Sequence, residues 1–449
     1  MKGFIDTIRN IWHIEDLRAR ILTTLGFILI YRVGSYIALP GINPGELEAL
    51  QQQGQQGMIA IINIFAGGAF SRASIFALGI MPYISASIVI QLLTLAVPYF
   101  QKLQKEGESG RRQINQITRF LTVIITLFQS AGYIANLYYT SGSAIEISQT
   151  LFYLSSAVCL TAGTIFVMWM GERITEKGIG NGISLLIMIG IVANLPLALV
   201  NELANRTEGG QGGLIPFVLE LAGLVFVVIA VILLIQGTRR IPVQYAKRVV
   251  GNRQYGGVRQ YIPLKINAAG VMPIIFAQAL MMIPATLAQF ANIDAGSWYN
   301  DPTSFWYSTL NFLMVVLFTY FYTALIVNPV QMADEMKKNG GFIPGIKPGR
   351  KTAEYIDTIM SRITLPGALF LGAVAILPGI VASLFKMNMQ FAYFYGGTSL
   401  LIMVAVILDT LQQIESHLLM RHYDGLMKSG RIKGRGTASA ATGVSVQQG

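Results

Sequence analysis

The sequence predicts an all-α polytopic membrane protein with ten transmembrane helices, and three observations carry that expectation. Across 449 residues, 53% are hydrophobic and only 12% are charged, with a mean hydropathy of +0.54. A soluble domain averages about 25% charged residues, so most of this chain is built for lipid. Uncharged apolar runs near the length a bilayer requires, about 20 residues at 1.5 Å rise each, recur along the chain. Lys and Arg are confined to alternate connections: with ten crossings, 29 of the 33 basic residues fall on one side. Cytoplasmic loops carry such an excess, so both termini are expected in the cytoplasm, and one missed or added span would scramble the pattern. The four exceptions are Arg32, Arg72, Arg206 and Lys386.

Residues 1–20 set Ile5, Ile8, Ile11, Trp12 and Leu17 at helical spacing among Lys2, Arg9, Arg18 and Arg20, the pattern of a cytoplasmic helix lying in the membrane interface. The N-terminal half then occupies 21–200, opening with a span at 21–39 that Arg32 interrupts. No small-residue cleavage site follows that run, so it is expected to stay as a span. A Gln-rich polar loop at 51–56 leads to the stretch 61–97, around which the chain is organised. Its second portion, 73–97, is long enough to cross, but its first, 61–69, is a half-length run that ends at Gly67-Gly68. An unsatisfied backbone group costs several kcal/mol in hydrocarbon, so this half-helix is expected inside protein or in a water-filled vestibule. A charged hairpin, QKLQKEGESGRRQ, and spans at 117–139, 151–171 and 179–200 complete the half.

Residues 201–213 read as an external hinge loop. The C-terminal half, 214–415, places spans at 214–236, 266–290, 312–329, 363–385 and 394–414, with cytoplasmic docking loops at 238–265 and 331–362. The basic cytoplasmic tail, 416–449, is expected to end in disorder beyond Arg435. An odd number of spans per half brings the second half in from the opposite side, so a shared fold would be an inverted repeat. No residue-level repeat is visible.

Enzyme signatures are missing. His13, His417 and His422 lack HExxH spacing, no GxSxG elbow occurs, and 425–432 and 345–352 fall short of GxxxxGK[ST]. The run Gly178-Ile179-Gly180-Asn181-Gly182 has no strand before it and reads as a tight entry into the fifth span. Cys159 is the single cysteine, so no disulfide framework or thiolate cluster is expected. No catalytic, cofactor-binding or metal-ligating residue is assigned, and a partner must supply any energy.

Ion-coupled transport is the serious rival. Pro82, Pro196, Pro273, Pro284, Pro366 and Pro378 within spans and the five-plus-five division suit secondary transporters. Such proteins need an ionisable group near mid-membrane. Here Glu172, Glu220, Asp409 and Glu415 fall toward span ends, while Ser85, Ser87, Gln91, Gln129 and Gln278 line the interior, as in a wet path or hydrogen-bonded helix contacts. Ile80 and Ile84 share one helix face just after the half-helix. They read either as ordinary packing or as an apolar constriction that stops ions by dewetting, and the sequence leaves both open. The basic loops 239–265 and 337–362 exceed what orientation requires. Aromatics interleaved with cations in the first suit RNA phosphate and acidic protein surfaces, or else a solvated loop over anionic lipid, so a membrane scaffold for soluble partners is a third reading.

The segments FAGGAFSRASIFALGIMPYISASIVIQLL, EGESGRRQINQITR, GERITEKGIGNGIS, NPVQMADEMKKNGGFIPGIKPGRKT and FYGGTSLLI closely resemble the SecY family, channel subunits of the bacterial Sec protein translocon, and the likeness runs over roughly 21–435. The resemblance implies two pseudo-symmetric five-helix halves, an inverted repeat, closing like a clamshell around a central hourglass pore in the bacterial plasma membrane. It implies a plug at 61–72 that includes Asn63, Phe65, Gly67, Gly68, Phe70 and Arg72, and a pore ring of Ile80, Ile84, Ile187, Ile275 and Ile402. A lateral gate between the second and seventh spans would draw on Ser85, Gln91, Gln129, Pro273 and Gln278. Unfolded preproteins would cross, and sufficiently apolar segments would leave sideways into lipid. The implied partners are the SecE and SecG membrane subunits, with the SecA motor ATPase or the ribosome (its rRNA and proteins) supplying energy at Arg239, Arg240, Lys247, Arg248, Lys347 and Arg350. No cofactor is implied. Two departures stand out: Lys347 replaces a common Arg, keeping the charge but losing a planar fork of donors, and Gln278-Ala279 replace small hydroxyl residues, which alters gate polarity.

Overall fold

Acidic Glu15 and Asp16 in its first turn and Arg32 in its last place each charge where the helix dipole favours it, and helix α1 (Glu15–Gly34) accordingly begins before the expected residue 21. The computed structural model describes residues 14–47, 50–51, 57–208, 213–245, 248–250, 253–255, 259–278, 280–281 and 303–428. The expected interfacial helix therefore lies, through residue 13, outside the described residues, as do most of the Gln-rich loop and the tail beyond 428.

The half-helix is α2 (Gly57–Phe65), and the second span is α3 (Met81–Ala96). The expectation that 73–97 is helical throughout is corrected. Gly67, Gly68, Ala73 and Gly79 take φ of 65°, 81°, 46° and 53°, which no right-handed helix accommodates, so 66–80 run as turns and α3 keeps 16 residues. After Val97 the chain bends by 100° into α4 (Pro98–Lys105). Gly107 (φ 74°) then reverses it into α5 (Glu108–Ser141), which absorbs half of the charged hairpin. Helix α6 (Gln149–Lys177) leads to the glycine-rich run, where Asn181 Oδ1 accepts from the backbone N–H of Ile183 (3.1 Å) and Ser184 (3.3 Å). Asn181 thus caps α7 (Gly182–Glu208), satisfying donors that a helix start leaves free. The expected hinge loop at 201–213 is also corrected: 201–208 continue α7, because Glu202 and Arg206, one turn apart, bind each other at 3.1 Å in the interior.

After α8 (Leu214–Gln236) the first docking loop forms two small sheets rather than irregular chain. Strands β1 (Thr238–Tyr245), β2 (Arg248–Val250), β3 (Arg253–Tyr255) and β4 (Arg259–Lys265) are followed much later by β5 (Gly341–Phe342). Strands β2 and β3 pair as one sheet, and the order β4-β1-β5 of the other is antiparallel, with Ile241 opposite Ile262 and Gln244 opposite Phe342. Alternation explains it: Ile241 and Val243 turn inward against Leu264, Met336, Ile343, Ile356 and Met360, while the residues between them face solvent.

Helical residues 272–278 (α9) begin the seventh span, whose remainder beyond 281 lies outside the described residues. The chain continues as α10 (Phe305–Ile326), α11 (Pro329–Lys338) capped by Asn328, α12 (Arg350–Phe385), α13 (Met389–Ala392) and α14 (Gly397–Lys428). Among the described residues seven helices are long and apolar enough to cross a membrane. The charges of α1, the shortness of α3 and the partial description of α9 keep the other three expected spans from the same test.

Each half has its own core. Ile134, Phe152 and Leu160 centre one, and Phe276, Val315, Leu371 and Leu400 the other. A third core joins the halves, drawing on α1, α2, α6, α7, α12 and α14.

Candidate functional site

The joining core holds all five isoleucines of the expected ring. Ile80 precedes α3, Ile84 lies one turn into it, Ile187 is on α7, Ile275 on α9 and Ile402 on α14; Ile80, Ile187 and Ile402 are buried, and Ile84 and Ile275 pack against them. With Phe65, Met81, Ser85 and Gln278, four of them (all but Ile80) line a cavity of about 20 Å³. That is room for one water, and a water needs two to four polar partners to stay. Ser85 already donates to the Met81 carbonyl (3.1 Å), and Gln278 Oε1 already accepts from the Thr398 hydroxyl (2.9 Å). Such a waist disfavours water and, with it, hydrated ions.

The expected plug residues sit together against this waist. Phe65 ends α2 facing the cavity, and the chain then folds back on itself. Asn63 Oδ1 accepts from the Ser71 N–H at 3.1 Å, and the Asn63 carbonyl accepts from the Gly68 N–H at 2.8 Å. Phe70 meets Tyr133 edge to face at 4.7 Å and accepts the Tyr133 hydroxyl on its carbonyl at 2.8 Å. The Gly67 turn approaches α7 so closely that a Cβ there would lie 3.0 Å from Gly190 Cα, so glycine is needed on steric as well as conformational grounds. Arg72 donates to the Gly67 carbonyl at 2.7 Å.

Of the expected gate residues, Gln91 on α3 accepts the hydroxyl of Tyr322 from α10 and donates to Ser87 at 3.3 Å. Tyr322 in turn packs edge to face on Phe276 of α9 (4.7 Å), in the core that also contains Ile88 of α3, so α3 and α9 contribute to one apolar core. Pro273 is buried at the start of α9, where its missing N–H is harmless. Gln129 stands apart, exposed on α5.

A second polar site closes one end of the seam between halves. Buried Arg206 bonds Glu202, Glu220 and the Phe385 carbonyl (2.7 Å), and Glu202 also accepts the Asn388 N–H at 2.9 Å. One guanidinium therefore ties α7 to α8 and to the end of α12.

The docking residues lie on the sheets and the start of α12. Arg239 and Arg240 are exposed on β1 opposite Leu264 and Pro263, Arg248 opens β2, and Lys247 falls outside the described residues. Lys347 is exposed, and Arg350, 92% exposed, pairs with Glu354 at 3.2 Å. Sequence reasoning missed Tyr322, Thr398 and Arg206 as partners. The isolated cations Arg32 and Arg206 in apolar surroundings were the available signal, since a charge there needs a counterpart.

A model of the SecY family matches residues 74–411. The protein translocase subunit SecY of Mycobacterium tuberculosis is 42% identical over 450 residues, covering 95% of this chain and 100% of that protein. Among solved structures, one described as "The plug domain of the SecY protein stablizes the closed state of the translocation channel and maintains a membrane seal" superposes with a TM-score of 0.63 at 16% identity, covering 93% of this chain and 95% of the other. A canine Sec61 from a ribosome-channel complex of the endoplasmic reticulum superposes at 0.57 with 16% identity and the same coverage.

Proposed function

The chain belongs to the SecY family, and on that premise we propose that it is the protein-conducting channel of a Sec translocon, closed at rest by an isoleucine ring and a plug. It is a multi-span membrane protein and not an enzyme. The observation that carries the closed-channel reading is the convergence of Ile84, Ile187, Ile275 and Ile402, from four separate helices, on one water-sized cavity capped by Phe65. Aliphatic side chains offer no directional bonds, so the waist can widen around a passing chain and close behind it, while ions lose hydration there at high cost.

At the front of the channel the links among the described residues are a hydrogen bond and apolar packing. The Gln91–Tyr322 hydrogen bond and the apolar core that Ile88 shares with Phe276 link α3 to the C-terminal half at the gate. Parting them exposes a path from pore to lipid, and an apolar segment takes it when its transfer free energy is favourable. The back is held by the buried Arg206 network and by Asn181-capped α7 against α14. Opening at the front about a fixed back follows from that asymmetry.

The termini and basic loops face the cytoplasm of a bacterial cell, with SecE and SecG beside the spans. SecA or the ribosome docks on Arg239, Arg240, Lys247, Arg248, Lys347 and Arg350 and supplies the energy that the channel lacks. Ion-coupled transport finds no support at the cavity, whose lining residues include no ionisable side chain. Deleting 61–70 tests the reading: a folded protein with a raised resting leak and retained preprotein translocation in proteoliposomes is expected. Loss of folding would make the segment structural core instead.

A further inference from the structure

Two of the four basic residues that escape the cytoplasmic side, Arg32 and Arg72, converge on one atom. Arg32 reaches from α1 to donate to the Gly67 carbonyl at 3.1 Å, and Arg72 donates to the same oxygen at 2.7 Å and, through Nε, to the Ser35 carbonyl at 3.3 Å. Both guanidiniums lie over the ring of Tyr36, at 5.5 Å and 4.3 Å from its centroid. Among the described residues neither forms an ion pair. Two like charges share one neutral acceptor and one aromatic face.

The Gly67-Gly68 corner makes this possible. With φ of 65° and 81°, it turns the Gly67 carbonyl out toward α1. A Cβ on either glycine would approach an arginine nitrogen to 2.9 Å. The residue type, the backbone conformation and the two cations therefore belong to one device. That device sits just past Phe65, the plug residue that caps the cavity.

We propose that Arg32 and Arg72 are a latch that holds the plug over the isoleucine waist through the Gly67 carbonyl, with Tyr36 as its shared backing. The inference rests on the plug reading. A hydrogen bond from a charged donor is roughly twice as strong as a neutral one, and Arg72 has the shorter bond and a second carbonyl, so it is the stronger half. The two cations also repel each other. Losing one relieves that repulsion and lets the other hold the carbonyl better, so the pair is redundant.

The test uses the full chain reconstituted with its membrane partners in planar bilayers. Arg32→Gln and Arg72→Gln each raise the resting leak by about two- to threefold, the larger effect falling on Arg72, and the double variant raises it by more than about tenfold, beyond the product of the two. A second readout follows the plug itself. In a Cys159→Ser background carrying Phe65→Cys, labelling by a membrane-impermeant thiol reagent from outside rises in step with the leak, and Arg72→Lys restores most of the protection. A double variant that leaks and labels like its parent, while deletion of 61–70 leaks, overturns the latch. A deletion that does not leak overturns the plug reading, and the latch with it.

Discussion

Replacing Arg206 by methionine removes the cation from the most deeply buried charged cluster among the described residues. Glu202, Glu220 and Arg206 are 1%, 3% and 5% exposed, so none can turn to water when its partner is lost. The variant leaves two carboxylates facing each other and strips the Phe385 carbonyl of its donor. Removing one partner of a buried ion pair costs about 3–5 kcal/mol. At about 2 °C per kcal/mol, the low end for large chains, thermal unfolding of purified protein in a fixed detergent should fall by about 6–10 °C. Because membrane proteins unfold irreversibly, the unfolding rate at one temperature should rise as well. The triple variant Glu202→Gln, Arg206→Met, Glu220→Gln removes every charge and should recover most of the loss, since a neutral buried set is close to isoenergetic with a paired one. A single variant within 1 °C of the parent, or a triple variant no better than the single, refutes the role given to this network.

Tyr322→Phe deletes the hydroxyl that joins α10 to Gln91; losing about 1–1.5 kcal/mol should let segments of marginal hydrophobicity insert about five- to tenfold more readily, scored by glycosylation or protease protection of a graded series. Thr398→Val leaves Gln278 Oε1 without its donor beside the waist and should raise the resting leak by a few-fold, without changing the melting temperature by more than about 2 °C. Reversing Arg239, Arg240 and Arg350 to Glu should weaken binding of the soluble partner by at least tenfold at low salt, and less at high salt, while thermal stability is unchanged because all three are exposed.

Much of this architecture was legible because lipid imposes strict rules. Apolar runs located the helices α5 to α8, α10, α12 and α14, and the Lys and Arg bias supplied an orientation. Local backbone conformation was not legible. The run 73–97 looks uniform in composition, yet positive φ at Ala73 and Gly79 keeps its first part out of the helix. Residues 201–208 look like a polar loop, and only the tertiary environment of Glu202 and Arg206 makes them helix. The docking loop hid a sheet because its inward residues, Ile241 and Val243, are too few to show an alternating period against the basic background. At the waist, Ile80 and Ile84 could be paired by spacing alone, but Ile187, Ile275 and Ile402 come from distant helices. Resemblance named them, and the fold packs them in one core.

The most direct measurement replaces Ile80, Ile84, Ile187, Ile275 and Ile402 together by serine and records resting conductance in a planar bilayer. Hydroxyls at the waist would give water the partners it now lacks, so a steady ion leak well above the parent's, with preprotein translocation retained, is the predicted result. A folded variant that conducts no more than the parent would contradict the claim that this apolar waist seals the channel.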